Sequence, residues 1–406
     1  MTRAYRFVAA RAAALAAGVV GASLLAGCER ASEGATPRAN GDEVPALEMA
    51  VERPQPGDRD EAIRRAIEGR RLADAGRLER ALHELEAAVA ADPACVEARV
   101  ELGFFLLEEA EETNYGGALL HFRVARLLAP EEPFAVCGEG LSRADLGDAA
   151  RAEPLLRGSI DAMRPHATRF AIVTASLAGI AATRGRTDEA IAGFRAAADV
   201  PGIPRRARAI YLSKLADLLV EAHRPAEAEP RLREAIELDP ENLRAHYLLT
   251  RVLAQRGATA EAAREARVHE ALRALEDHRS KRHRQDVDRT LRLRRELNAA
   301  WPEYSRGAYA LVGEMLEHAR FKDALAELGE LSRRDGATQE IHGLLARAKA
   351  GSGDLAGARD SLVAMTRAGP TVSPAFVRDV LDDWQRGNPG VTPEQMQATM
   401  REWLAQ

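Results

Sequence analysis

Three sets of residues in this chain are of types that can do chemistry. Cysteines stand at Cys28, Cys95 and Cys137, too few and too scattered for a disulfide framework or a thiolate metal site, so Cys95 and Cys137 are expected as small packed residues. His278 and His283 lie five apart, on different faces of a helix, whereas a pair of ligands on one face sits three or four apart. A basic strip of Arg279, Lys281, Arg282, Arg284, Arg289, Arg292, Arg294 and Arg295, interleaved only with Asp286 and Asp288, stands out in an acidic chain. It could dock an acidic protein segment or anionic lipid headgroups. It could equally be a solvated helix face, since Arg289, Arg292 and Arg295 recur at helical spacing beside Leu291, Leu293 and Leu297. No Gly-rich phosphate loop, His-Glu-x-x-His pair or Gly-x-Ser-x-Gly elbow occurs. Chain order alone assembles no Ser-His-Asp triad. No catalytic residue, metal or cofactor is assigned, and the chain is read as a non-enzyme.

Cys28 has a context of its own. Residues 1–27 carry a short basic stretch and an apolar run from Phe7 to Ala26, broken by Arg11, with the layout of a secretory signal peptide. An ordinary transmembrane helix is disfavoured by Arg11 and the small residues, and would leave the cysteine unexplained. The ending Leu25-Ala26-Gly27-Cys28 resembles the lipobox of bacterial lipoproteins. That resemblance implies that Cys28 becomes the first mature residue and carries acyl chains such as palmitate, and two or more such signals hold a protein stably on a membrane. Glu29 stands where an Asp often marks inner-membrane retention, so the resemblance implies the periplasmic face of the outer membrane rather than the inner membrane. Residues 28–57 have the polar, period-free composition of a disordered tether, with a mean reach of roughly 30 Å.

The elements that must position everything else are set by composition and period. Among 406 residues aromatics are 4% and apolar residues 46%, so burial rests on Ala, Leu and Val, which favour helices. The formal net charge is −5, and loss of Arg3, Arg6 and Arg11 with a leader makes it −8, which argues against nucleic acid as a partner. Helical pairs ending in a Pro or Gly turn align on one alanine column: Ala81, Ala118, Ala152, Ala190, Ala228, Ala262, Ala324 and Ala358. Three of its seven spacings are 34 residues, three are 37 or 38, and one is 62. Four positions later come Leu85, Phe122, Leu156, Phe194, Leu232, Ala266, Leu328 and Leu362. The first helix of most units offers a small residue (Gly69, Gly103, Gly140, Ala178, Ala216, Ala346), with Thr250 and Val312 as departures. Pro93, Pro130, Pro240 and Pro370 close four units. Small residues facing small residues would let paired helices approach closely, and bulky residues one turn on would fill the groove to the next unit.

This pattern resembles the tetratricopeptide repeat. The resemblance implies an all-α, right-handed superhelical solenoid of about eight helix-turn-helix repeats over residues 58–370. An irregular basic insertion at 277–304 reads as a helical extension or extra helix. Capping helices follow at 371–406, one from Ser373 to Arg386 and one opening at a Thr392-Pro393-Gln395 capping box, with Trp384 and Trp403 covering the end of the stack.

In this family the inner helix of each pair lines a peptide-holding groove. Carried over residue by residue, the second and third units place Phe104, Leu107, Phe134 and Leu141 there, and the sixth and seventh place Tyr247, Arg251, Arg306 and Tyr309. The latter are types enriched at binding hot spots; the alternative is that several merely pack between units. The family's carboxylate clamp uses asparagines on inner helices, whereas Asn40, Asn114, Asn242, Asn298 and Asn388 fall outside them. The expected function is a membrane-anchored envelope scaffold or adaptor that binds protein or peptide partners in an assembly, secretion or pilus-type complex. Two alternatives stay open: a lipid-tethered enzyme or regulator of peptidoglycan enzymes acting from Asp277–Tyr304, and self-association through acidic and basic halves.

Overall fold

The computed structural model describes residues 52–108, 112–280, 286–369 and 372–404. Cys28, the signal-like segment and the tether up to residue 51 lie outside the described residues, as do Lys281, Arg282 and Arg284. Every regular element among the described residues is an α-helix, and successive helices form antiparallel hairpins: the fold is an all-helical repeat. Two compact units divide the chain between Ala258 and Thr259, within the sixth repeat of the expected register.

The first unit holds five hairpins and a single helix. The hairpins are α1 (Arg59–Asp74) with α2 (Leu78–Ala91), α3 (Val96–Glu108) with α4 (Glu112–Leu128), α5 (Pro133–Asp145) with α6 (Ala149–Met163), α7 (Ala167–Thr183) with α8 (Thr187–Ala198), and α9 (Arg205–Glu221) with α10 (Pro225–Leu238). Helix α11 (Leu243–Gln255) follows. The second unit comprises α12 (Thr259–Ser280), α13 (Val287–Ala300), α14 (Ser305–Glu317), α15 (Phe321–Asp335), α16 (Gln339–Gly351), α17 (Leu355–Ala368), α18 (Pro374–Gly387) and α19 (Pro393–Leu404). The insertion is thus helical where described: α12 continues to Ser280, and α13 is an additional helix with Leu291, Leu293 and Leu297 buried.

The alanine column is the packed seam. Ala81, Ala118, Ala152, Ala190, Ala228, Ala324 and Ala358 are fully buried, and Ala262 of the irregular repeat nearly so. The small column departs from the expected small-on-small contact, because its glycines receive the bulky residue of their own hairpin. A Cβ on Gly69 would lie 2.6 Å from Leu85 Cγ, one on Gly103 2.7 Å from Phe122 Cζ, and one on Gly140 2.8 Å from Leu156 Cδ2. The side chain that fills the seam thus belongs to the second helix, and the glycine makes the socket for it.

The turns inside the hairpins obey a rule of their own. Five residues before the alanine stand Gly76, Gly147, Gly185, His223, Gly257, Ala319 and Gly353, all with positive φ. The following amide donates back to a carbonyl five residues earlier, as from Arg77 to Leu72 (2.8 Å) and Arg224 to Leu219 (2.7 Å), which closes the helix end by the Schellman pattern. Side-chain caps open many helices: Asp58 accepts from the Glu61 amide, Asn242 from Ala245, and Asp354 from Gly357. At α19 the Thr392 amide donates to Gln395 Oε1 at 2.9 Å and the Gln395 amide to Thr392 Oγ1 at 3.3 Å, the reciprocal capping box. Trp384 and Trp403 pack against Ala346, Ala350, Ala358 and Leu362 at the last repeat.

The end of the expected tether is ordered against the first unit: the Gly57 amide donates to Asp92 Oδ1 and the Asp58 amide to Ala91 O, both at 2.8 Å. Cys95 and Cys137 are buried free thiols, and burial pushes the Cys137 thiol up to about 12. Among the described residues no helix is long and apolar enough to cross a membrane.

Candidate functional site on the inner helices

The apolar half of the expected groove is filled from within. Phe104 on α3 and Leu141 on α5 are buried core residues, and Leu107 and Phe134 pack half-buried against the same cluster. Arg169, at the start of α7, lies with its guanidinium carbon 4.0 Å from the Phe104 ring centroid and 5.0 Å from that of Phe134. The Phe134 ring meets His166 edge-on at 5.1 Å. One arginine of the fourth hairpin therefore roofs aromatic residues of the second and third by cation–π contact, which corrects the reading of Phe104 and Leu141 as groove lining.

Tyr247 on α11 is different. It is 38% exposed, and Arg244 and Arg251, one turn to either side, place their guanidinium carbons 5.4 and 5.8 Å from its ring centroid. Helix geometry does this directly, since residues three and four apart share a face. The neighbouring inner helix α9 contributes carboxylates: Arg244 Nη2 donates to Asp217 Oδ2 at 2.5 Å. The Glu221 carboxyl is pushed up by burial and then by Asp217, with Arg244 and Arg251 opposing. Arg251 is exposed and makes no ion pair among the described residues. A planar guanidinium beside an exposed ring can receive a carboxylate while the ring takes an apolar group.

In the second unit Arg306 is exposed and Tyr309 is half-buried, its hydroxyl 3.5 Å from Asp335 Oδ2. The basic strip is interrupted. Arg294 is buried, with Nη2 3.6 Å from Glu314, and Arg295 donates to Glu327 at 3.1 Å. Only Arg289 and Arg292 of its described side chains are exposed without such an acid. The side chain of Arg279 lies outside the described residues. His278 is buried, with Nε2 3.0 Å from Thr290 Oγ1. Asn242 caps α11, Asn298 lies on α13, and Asn388 caps the end of α18, where its amide donates to the Trp384 carbonyl.

An open cavity of about 540 Å³ lies beside the docked N-terminal segment, between Pro54, Arg59, Glu97 and Glu132, apart from every residue expected to bind. Among the described residues no three His, Cys, Asp or Glu side chains gather as a metal site. Sequence reading overlooked Arg244 and Arg169. Arg244 was within reach, since it holds in the sixth repeat the position that Arg306 holds in the seventh.

The sequence profile of the tetratricopeptide repeat matches residues 68–133 and 213–277, so the chain carries tetratricopeptide repeats. Among solved structures, PilF of Pseudomonas aeruginosa is 17% identical, covering 60% of this chain and 94% of that one with a TM-score of 0.41. MamA of Desulfovibrio magneticus RS-1 is 19% identical over 45% of this chain and 97% of its own, with a TM-score of 0.35. YrrB, a repeat protein with an unusual peptide-binding site, is 20% identical over 46% of this chain and 91% of its own, with a TM-score of 0.34. No curated protein matches the sequence.

Proposed function

We propose that this protein is a membrane-anchored scaffold or adaptor of the bacterial cell envelope that binds a protein or peptide partner on the inner helices of its repeats. The observation that carries the binding reading is the exposed Tyr247 ring flanked by Arg244 and Arg251. Aromatic and arginine side chains are the types that dominate interface energetics. Tetratricopeptide repeats generally serve protein or peptide binding. The Leu25-Ala26-Gly27-Cys28 ending supports acylation at Cys28 and attachment to the periplasmic face of the outer membrane, with the scaffold serving an assembly, secretion or pilus-type complex.

The test is to isolate the full chain from membranes after gentle crosslinking and identify what accompanies it, comparing wild type with Tyr247→Ala and with Tyr309→Ala. A partner lost on Tyr247→Ala supports the reading, and a partner retained in both variants moves the surface elsewhere. Cys28→Ser should release the chain from the membrane fraction; retention there would sink the anchoring part.

A further inference from the structure

Around Tyr247 the first unit sets four charges, and they are not balanced pair by pair. Asp217 on α9 holds Arg244 at 2.5 Å, with both side chains mostly buried, so that arginine is already answered. Arg251, one turn further along α11, is exposed and bonded to no carboxylate among the described residues. Glu221 on α9 lies near enough to feel the positive fields of Arg244 and Arg251, yet it hydrogen-bonds to neither. Its carboxyl is raised by burial and by Asp217, so it holds its negative charge less firmly than an ordinary glutamate. The face therefore offers one guanidinium fork with unused donors, stacked beside one exposed aromatic ring.

We infer that Arg251 and Tyr247 together receive an acidic partner segment, a carboxylate on the Arg251 fork and a neighbouring apolar side chain against the ring. This rests on the inner-helix binding reading above and specifies its chemistry. The fork suits a planar carboxylate in two-pronged geometry, and the ring holds the guanidinium close and limits the freedom lost on binding. Arg244, clamped by Asp217 on the far side of the ring, positions Tyr247 and leaves Arg251 as the group that meets the ligand. A basic segment would face Arg251 directly, and like charge at that distance disfavours it.

Three fluorescein-labelled decapeptides, identical except that four positions are all Glu, all Gln or all Lys, test this by fluorescence polarisation against the full chain. The Glu peptide is expected to bind about ten-fold or more tightly than the other two. Arg251→Gln should erase that preference, Arg251→Lys should restore part of it, and Arg367→Gln on the exposed face of α17 should leave it intact. Circular dichroism of each variant separates loss of binding from loss of fold. Equal binding of the Glu and Gln peptides, or a preference that survives Arg251→Gln, overturns the inference. If all three peptides bind alike and Tyr247→Ala abolishes binding, the carboxylate inference falls while the inner-helix reading stands. If none binds and the crosslinked partner also ignores Tyr247→Ala, both fall.

Discussion

Gly103 and Phe122 form a socket and a plug: a methyl group on the glycine would sit 2.7 Å from the ring's Cζ, and Gly138 of the next hairpin presses on the same ring more closely still. The ring of one repeat thus links three helices. Gly138→Ala is expected to destabilise the first unit, because overpacking costs about 1–3 kcal/mol against the ~1 kcal/mol that Ala gains over Gly inside a helix. Phe122→Leu in the same chain should recover part of the loss. A urea midpoint unchanged by Gly138→Ala would refute the socket.

Two hairpin turns carry side chains where glycine belongs. His223 and Ala319 hold φ of 58° and 55° at the position that Gly76, Gly147, Gly185, Gly257 and Gly353 fill elsewhere. The left-handed conformation costs a residue with a Cβ about 1–2 kcal/mol, and glycine's extra unfolded freedom returns roughly 0.5–1 kcal/mol of that. His223→Gly and Ala319→Gly should each raise the thermal midpoint modestly, and Gly185→Ala should lower it. Midpoints that move the other way would mean the turns are not strained.

Two buried groups tilt stability with pH in opposite directions. The His121 imidazole is pushed down to about 4 by burial and then by Arg99. Its contribution is therefore full above pH 6.5, where the unfolded ring is neutral, and is lost as pH falls toward 4. The Asp145 carboxyl is pushed up to about 7 by burial. Its contribution is full below the unfolded value of 3.8 and is lost as pH rises through 7. Asp145→Asn should leave stability climbing with pH between about 4 and 6.5, by up to about 1.4 kcal/mol per pH unit, and His121→Phe should leave it falling. Urea midpoints at the two ends of that window decide it, and variants with parallel slopes would disprove it.

Glu139 lies nearly inaccessible between two arginines, accepting from Arg126 Nη1 at 2.7 Å and Arg143 Nε at 2.8 Å, while Arg143 also reaches Asp148 at 2.9 Å. Glu139→Ala leaves the buried Arg143 with Asp148 as its remaining counter-charge, so the loss should stay below the about 3–5 kcal/mol of a buried charge left wholly unpaired. Glu139→Leu combined with Arg143→Met should be much less damaging than the single change. Equal losses in the two would indicate that the charges are not coupled.

The repeat was legible because its signal is steric and periodic. An alanine column buried almost without exception can be read from spacing alone, and Ala228→Leu should accordingly overpack by about 1–3 kcal/mol. The Thr392 capping box and the tryptophan cover were legible for the same reason, each being local or terminal. What spacing does not carry is whether a neighbour reaches across. Phe104 and Leu141 hold inner positions, yet Arg169 covers the Phe104 ring and both residues lie in the core. Arg294 looks like one more surface charge in its run, but its register turns it inward toward Glu314. The turn column escaped notice because His223 and Ala319 interrupt its glycines, and only the backbone angles unite them.

The grip of Gly57 and Asp58 on Asp92 and Ala91 also makes the repeat stack a mechanical object. Tension arriving along the chain from its N-terminal side does not pull first on the end of α1. It is taken up at the corner between α2 and α3 by two short hydrogen bonds, which act as a strain relief. While they hold, part of that load bypasses the end of α1 and enters the stack at the far end of α2.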